Sequence, residues 1–374
     1  MKSFIQSLFN FIKYLKINNK DNLIFFYSES IFYREHCIDL INYCVKNNKK
    51  NFVFVSSDYQ DFLYHKKILN CLYFENGFFL YLFFKMLKCK CMVMTLTDLG
   101  NHVKKSKNCR NYIYFFHSLS STFIRCTKEA FKNYDIMFTN GDYQKNELIE
   151  SENIFNFPKK KIINTGYFFL DHLTKKTNLN ARDIKKIIFA PTWNYNKNNI
   201  FNDYGYKIID ILIKNNYFVI LRPHPEHYKR SLNVIKKINK TFKSNENFFL
   251  DKNSSNLNSL ERSSILITDN SSIDMEFALI FKRPVIYLDY IDKIHNLDYK
   301  MFSSKNIDVE FKNTIGNSLE IAKLNELPTL IADLLSANNK NEIKIDEFRE
   351  KYLSNINGSS KFAADYIISN FINN

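Results

Sequence analysis

Ser264-Ile265-Leu266-Ile267-Thr268-Asp269-Asn270-Ser271-Ser272-Ile273-Asp274-Met275-Glu276-Phe277-Ala278-Leu279, closed by Arg283-Pro284-Val285-Ile286-Tyr287-Leu288-Asp289, decides the fold of this chain. The apolar run before Thr268 predicts a buried strand, and residues 268–272 predict a turn. The residues after them predict a helix, with Ser271 and Asp274 at capping-box spacing and Asp standing where Glu is usual. Strand, turn, helix and a second apolar run at 285–288 make the repeating unit of a parallel α/β sheet. Such a helix start offers unpaired N–H groups and the positive end of the helix dipole beside the Ser271 and Ser272 hydroxyls, so a phosphate is a natural guest. An ordinary capped helix in an α/β domain carries the same residues.

The alternation extends backward. Ile187-Ile188-Phe189-Ala190 runs into Pro191-Thr192-Trp193, and Phe218-Val219-Ile220-Leu221 runs into Arg222-Pro223-His224-Pro225, with Phe248-Phe249-Leu250 after it. Three strand ends, at Thr192 and Trp193, at Arg222 and His224, and at Asp269 to Ser272, can meet one nucleotide, and Thr268, Asn270 and Asp274 join them as candidate nucleotide-binding residues. The first half shows the same pattern at residues 23–27, 52–55, 91–95, 112–116, 136–139 and 162–167, with helical spacing at 78–86 and 144–150. The polar stretch 174–186 reads as a linker. The expected division is 1–176 for an amino-terminal domain, 177–345 for a nucleotide-binding domain, and 346–374 for carboxyl-terminal helices that cross back to the first domain.

Residues 112–116 end in His117-Ser118-Leu119-Ser120-Ser121-Thr122. A histidine at a strand's carboxyl end, before a hydroxyl-rich helix start, stands where a general base or a phosphate contact belongs, and Asp98 could reach the same face, though nothing in the sequence demands it. A histidine satisfied by loop hydrogen bonds is the bland alternative.

Composition sets the limits. The chain has 374 residues, 45% hydrophobic and 16% aromatic, enough for two packed α/β domains and against wholesale disorder. Its formal charge of +15 favours an anionic partner, and no nucleic-acid signature accompanies it, so nucleic acid is not expected. Seven cysteines, an odd number with no repeated C-x-x-C pair, read as reduced, buried thiols in a cytoplasmic protein. The most apolar long window, 78–97, is broken by Lys85, Lys88 and Lys90 and does not span a membrane. Phe4, Ile5, Leu8, Phe9, Ile12 and Leu15 lie at helical spacing beside Lys2, Lys13 and Lys16. That fits either a helix lying on an anionic bilayer or one packed on its own domain.

Pro191-Thr192-Trp193, Arg222-x-His224-Pro225 and Thr268-Asp269-Asn270-Ser271-Ser272, in this order, resemble the carboxyl-terminal half of the CDP-glycerol glycerophosphotransferase family, the teichoic acid primases and polymerases. His117 falls at that family's His-Gly-Thr motif. Gly166-Tyr167 with Asp171 resembles its Gly-Tyr-Pro-Arg-Asn-Asp element. The resemblance, over about residues 22–289, implies a GT-B fold with two Rossmann-like doubly wound domains facing across a cleft. It also implies metal-independent transfer, without a cofactor, of an alditol phosphate from a CDP-alditol donor to a hydroxyl of a polysaccharide, lipid-linked or polyanionic acceptor, releasing CMP. Under it, His117 is the base, His224 and Arg222 stabilise diphosphate charge, and Asp269, Ser271 and Ser272 help hold the donor, with Ser118, Thr192 and Trp193 nearby. The reduced cysteines and the positive charge lead to the expectation of a cytoplasmic protein, peripheral on the inner face of the membrane.

The chain departs from the pattern at Ser118 for glycine, Asn194 for arginine, Asn270 for tyrosine and Phe168-Phe169 for Pro-Arg. These departures bear on the transferred group and permit another acceptor, such as a capsular or surface sugar. A GT-B glycosyltransferase using a CMP- or UDP-sugar in capsule or lipopolysaccharide assembly, a UDP-sugar epimerase or hydrolase, and a non-catalytic scaffold stand as alternatives.

Overall fold

The computed structural model describes residues 2–101, 103–178, 181–193, 198–252, 257–269, 271, 273–290 and 297–373. The chain forms two compact units. The first comprises Met1–His172, His295–Ser304 and Tyr352–Asn374, and the second Leu173–Ile294 and Lys305–Lys351.

Unit 1 carries seven strands: β1 Ile24–Ser28, β2 Phe52–Ser56, β3 Asn70–Tyr73, β4 Cys91–Met94, β5 Tyr112–Phe115, β6 Ile136–Thr139 and β7 Lys161–Asn164. All pair in parallel in the order β3-β2-β1-β4-β5-β6-β7. Strands β1, β2, β4, β5 and β6 are buried along their whole length, which is why they read as continuous apolar runs rather than alternating ones. Unit 2 carries β8 Asp183–Phe189, β9 Phe218–Leu221, β10 Phe248–Leu250, β11 Ser263–Thr268, β12 Val285–Asp289 and β13 Gly316–Glu320, in the parallel order β10-β9-β8-β11-β12-β13. Both sheets reverse strand order beside their first strand, at β1/β4 and at β8/β11. In doubly wound sheets, that is where ligands bind, outside the carboxyl ends of the strands.

Two edge strands, β3 and β13, escape the sequence reading. β13 is the polar Gly-Asn-Ser-Leu-Glu, with only Leu319 buried, and owes its strand form to pairing with β12. The stretch expected as a linker is mostly ordered: the Phe168–Lys176 helix fills its start, and the polar, half-exposed first half of β8 its end. Hydrogen bonds to strand β11, including Ser264 Oγ to the Asp183 carbonyl at 2.5 Å, hold that exposed half in the sheet.

The last helix, Ser359–Phe371, packs on the Arg34–Asn48 helix of unit 1 through Ala363, Ala364, Ile367 and Phe371. Two glycines admit the chain that leads to it. A Cβ on Gly166, where φ is +90°, would lie 2.2 Å from the Ser354 carbonyl oxygen, and one on Gly141 would lie 1.9 Å from that of Tyr352. The Asp171 carboxylate then accepts from the Asn357 and Ser359 N–H groups, both at 2.8 Å, and from the Ser359 hydroxyl at 2.6 Å. Asp171 caps the helix from a distant element, and Gly358 at the cap position contributes no side chain.

Candidate functional site

In unit 1, β5 delivers His117 at its carboxyl end, one strand from the β1/β4 switch point. Its Nδ1 makes a very short hydrogen bond with Thr95 Oγ1, which follows β4 and is itself buried. Thr95 also meets the Tyr114 hydroxyl. If Nδ1–H donates to Thr95, the Nε2 lone pair is left bare, the tautomer a base needs. The Tyr167 hydroxyl donates to the His117 carbonyl at 3.2 Å, fixing the backbone behind the ring. The Tyr33 ring meets the imidazole edge-on at 4.9 Å. Burial in this surround pushes the His117 pKa down to about 4.

Ser118 lies in the same loop. Its carbonyl accepts from Asn140 Nδ2 at 2.9 Å and Gln144 Nε2 at 3.3 Å, and its hydroxyl accepts from the Ser120 N–H at 3.2 Å. The hydroxyl-rich helix start after it is a single turn, Thr122–Arg125, whose Thr122 N–H and hydroxyl donate to the buried Glu147 carboxylate at 2.7 Å. Asp98, on a residue with φ of +60°, accepts from the Thr127 hydroxyl at 3.1 Å and serves a turn.

In unit 2, the strand ends at the β8/β11 switch point are bonded to each other. The Thr192 N–H donates to Asp269 Oδ1 at 2.7 Å, the Thr192 carbonyl lies 3.0 Å from His227 Nε2, and the Thr268 hydroxyl donates to the Ala190 carbonyl at 2.7 Å. Held on both sides, Thr192 presents Trp193 at a fixed place. The Trp193 ring stands 6.0 Å from His224, and the Arg230 guanidinium lies 5.1 Å over it. His224 is the N-cap of the Pro225–Arg230 helix, and its Nδ1 accepts from the Glu226 N–H at 3.1 Å. An accepting Nδ1 leaves the proton of a neutral imidazole on Nε2, so His224 in that form is a donor through Nε2.

Arg222 follows a different logic from that of a free phosphate ligand. It is buried, and its Nη1 donates to Asp251 Oδ2 at 3.3 Å and Ser259 Oγ at 3.2 Å, while the Ser259 hydroxyl bonds the same carboxylate. Asp274 is likewise engaged inside the unit: its carboxylate accepts from the Tyr287 hydroxyl and the Met275 N–H, both at 2.6 Å. The Asp274 N–H donates to the Ser271 carbonyl at 3.2 Å. Asn270 and Ser272 lie outside the described residues.

Thr95, His227, Asp251 and Ser259 were not singled out from sequence. Asp251 directly follows β10, and its place at a strand's carboxyl end was the available signal. The others are recognisable only once the strands are in register.

A family model described as CDP-Glycerol:Poly(glycerophosphate) glycerophosphotransferase matches residues 84–368, most of the chain. The minor teichoic acid biosynthesis protein GgaB of Bacillus subtilis (strain 168) is 26% identical over 196 residues, a match spanning 45% of this chain and 20% of that protein. Among solved structures, the wall teichoic acid polymerase TagF superposes with a TM-score of 0.62 at 15% identity, covering 98% of this chain and 95% of that one. The UDP-GlcNAc 2-epimerase of Neisseria meningitidis gives 0.61 at 14% identity, covering 93% and 99%. These likenesses establish the GT-B fold, and the family match shows that the chain belongs to the CDP-glycerol:poly(glycerophosphate) glycerophosphotransferase family.

Proposed function

We propose that this enzyme moves glycerol phosphate, or a similar alditol phosphate, from a CDP-activated donor to a hydroxyl of a surface polymer or glycan. The observation that carries the reading is His117 at the end of β5, its Nδ1 occupied by Thr95, in a chain of this family. His117 Nε2 takes the acceptor's proton, and the acceptor oxygen attacks the phosphorus bearing the alditol. The bond from that phosphorus to the CMP oxygen breaks, and the electron pair leaves with CMP. In unit 2, Trp193 offers a face to the base and His224 Nε2–H a donor to the diphosphate. Thr192, Thr268, Asp269 and Asp274 hold the strand ends in place, and Ser271, with Asn270 and Ser272, contributes hydroxyl and amide donors. Arg222 serves as a positioning group through Asp251 and Ser259. In support, a TagF variant soaked with CDPG has the same fold.

The epimerase-like fold makes the nucleotide base the deciding question. Calorimetry with CMP, CDP-glycerol, CDP-ribitol, UDP and UDP-N-acetylglucosamine tests it. Cytidine-selective binding, tighter with the alditol attached, is expected, and uridine-selective binding refutes the reading.

We also propose that the enzyme works at an anionic membrane face. The Lys2–Leu15 helix seats Ser7, Phe11 and Tyr14 on unit 1 yet leaves Phe4, Ile5, Leu8, Phe9, Ile12 and Leu15 exposed, Phe9 by 66%. Phe78, Tyr81 and Met86 of the adjoining Phe78–Met86 helix are exposed as well; Lys85 lies on that helix, and Lys16 and Lys20 follow the end of the first. Apolar side chains edged by lysines suit the boundary of an anionic bilayer. Among the described residues no helix is long and apolar enough to cross a membrane. Vesicle co-sedimentation that requires anionic lipid and weakens with salt is expected, and binding indifferent to both refutes this part.

A further inference from the structure

His36 sits in the first turn of the Arg34–Asn48 helix, which follows β1, outside the stretch that the family model matches. Its ring is stacked on Phe169 at 4.1 Å, and it stands 6.2 Å from His117 and 6.1 Å from Tyr167. Its Nδ1 is buried and has no hydrogen-bond partner among the described residues. A buried ring nitrogen left unpaired costs desolvation free energy that nothing in the protein returns, and such a cost persists where a ligand or a water completes the site.

The neighbourhood holds this imidazole in place. His172 lies three residues after Phe169 on one helix, and a carboxylate from the His36 helix faces each of its ring nitrogens: Glu35 at 2.6 Å from Nε2 and Asp39 at 3.0 Å from Nδ1. The two contacts tie the helices together and so hold the His36–Phe169 stack. Burial, and then the neighbouring His117, push the His36 pKa down to about 3, so both imidazoles are neutral at pH 7. Tyr33, Tyr167 and Phe169 complete an aromatic enclosure. Glu29 acts electrostatically on Tyr33 and Tyr114 and brings negative charge to the vicinity. The neutral His36 ring and the aromatic faces beside a carboxylate suit an uncharged polyhydroxyl ring and offer no cation to a phosphate on the acceptor, as distinct from the donor phosphate that His117 meets.

We propose that His36 is a specificity-determining contact of the unit 1 site, taking a hydroxyl of an uncharged, sugar-like acceptor whose neighbouring hydroxyl is the one His117 activates. This rests on the transfer reading above. His36 acts on the acceptor alone.

The test compares a neutral glycoside with an oligo(glycerol phosphate) as acceptor, CDP-glycerol being the donor. Wild type should favour the glycoside. His36→Phe keeps a ring on Phe169 but removes both nitrogens. It should raise the glycoside KM about tenfold, the scale of one lost hydrogen bond, with the donor KM unchanged, and His36→Gln should recover part of the loss. An unchanged glycoside KM in a folded His36→Phe protein overturns the proposal, as does wild-type preference for the polyanion. If wild type transfers to neither acceptor, the transfer reading fails, and histidine-labelled wild-type protein decides His36 separately. Millimolar methyl glycoside shifting the His36 and His117 ring resonances, with glycerol 3-phosphate inert, supports the contact. No shift, or the reverse preference, overturns it.

Discussion

Titrating His117 separates the free enzyme from its donor complex. In the free protein, burial holds this imidazole near pKa 4, so it is the neutral form at pH 7 and a weak base. The transfer reading brings a donor phosphate to it. One unit charge at about 5 Å is worth about 3 kcal/mol at an effective dielectric constant near 20 and about half that near 40. Because about 1.4 kcal/mol corresponds to one pH unit, donor binding moves the midpoint from about 4 to between about 5 and 6.5. A base is lost as pH falls through its pKa. The acid limb of kcat/KM, which reports free enzyme, should therefore lie near pH 4, and that of kcat, which reports the complex, one to two and a half pH units higher on this estimate, by about the same shift. The assay is CMP release between pH 4 and 8, with the His117 ring followed by NMR in both states to exclude titration of the donor. Coincident limbs, or a free-enzyme midpoint at the ordinary histidine value near 6.5, refute the reasoning.

Thr95→Val removes the hydroxyl bonded to His117 Nδ1 and should lower kcat about tenfold or more with little change in donor KM; unchanged kcat would separate Thr95 from the base. Trp193→Ala should weaken CMP binding by about 1–3 kcal/mol in calorimetry, the scale of one base stack, and leave the thermal midpoint nearly unmoved. Asp171→Ala strips three hydrogen bonds from the start of the last helix and should cost about 2–4 kcal/mol in urea unfolding, with hydrogen exchange rising first over residues 354–371. Acid should destabilise the fold. His36 and His117 have folded pKa values near 3 and 4, below the unfolded value near 6.5, so the unfolded chain binds the extra protons. Stability present above pH 6.5 should fall by about 1–2 kcal/mol per histidine at pH 5, allowing for partial exposure, and the doubly substituted protein should lose that dependence.

The sheets were legible because parallel strands buried on both faces must be apolar throughout, and Ile187-Ile188-Phe189 and Ile265-Leu266-Ile267 can be little else. β13 was not, since an edge strand made of Gly316-Asn317-Ser318-Leu319-Glu320 depends on β12 for its form. His117 and the Asp269 turn were visible because a strand end announces itself locally. The pairing of Arg222 with Asp251 was not: Asp251 stands at a strand end, yet it meets Arg222 only when β10 lies beside β9. His36 is the extreme case. Nothing in the spacing of Tyr33 and His36 points to Phe169, and only the packing of two helices remote in sequence brings the rings to 4.1 Å.

Incubating wild type and His117→Asn with CDP-glycerol and a hydroxyl-bearing acceptor, and measuring acceptor mass together with CMP, tests the central claim most directly. The acceptor should gain one glycerol phosphate for each CMP released, and His117→Asn should lose about a hundredfold or more in rate with donor affinity retained. CMP released without gain by the acceptor, or transfer undiminished in the variant, would contradict it.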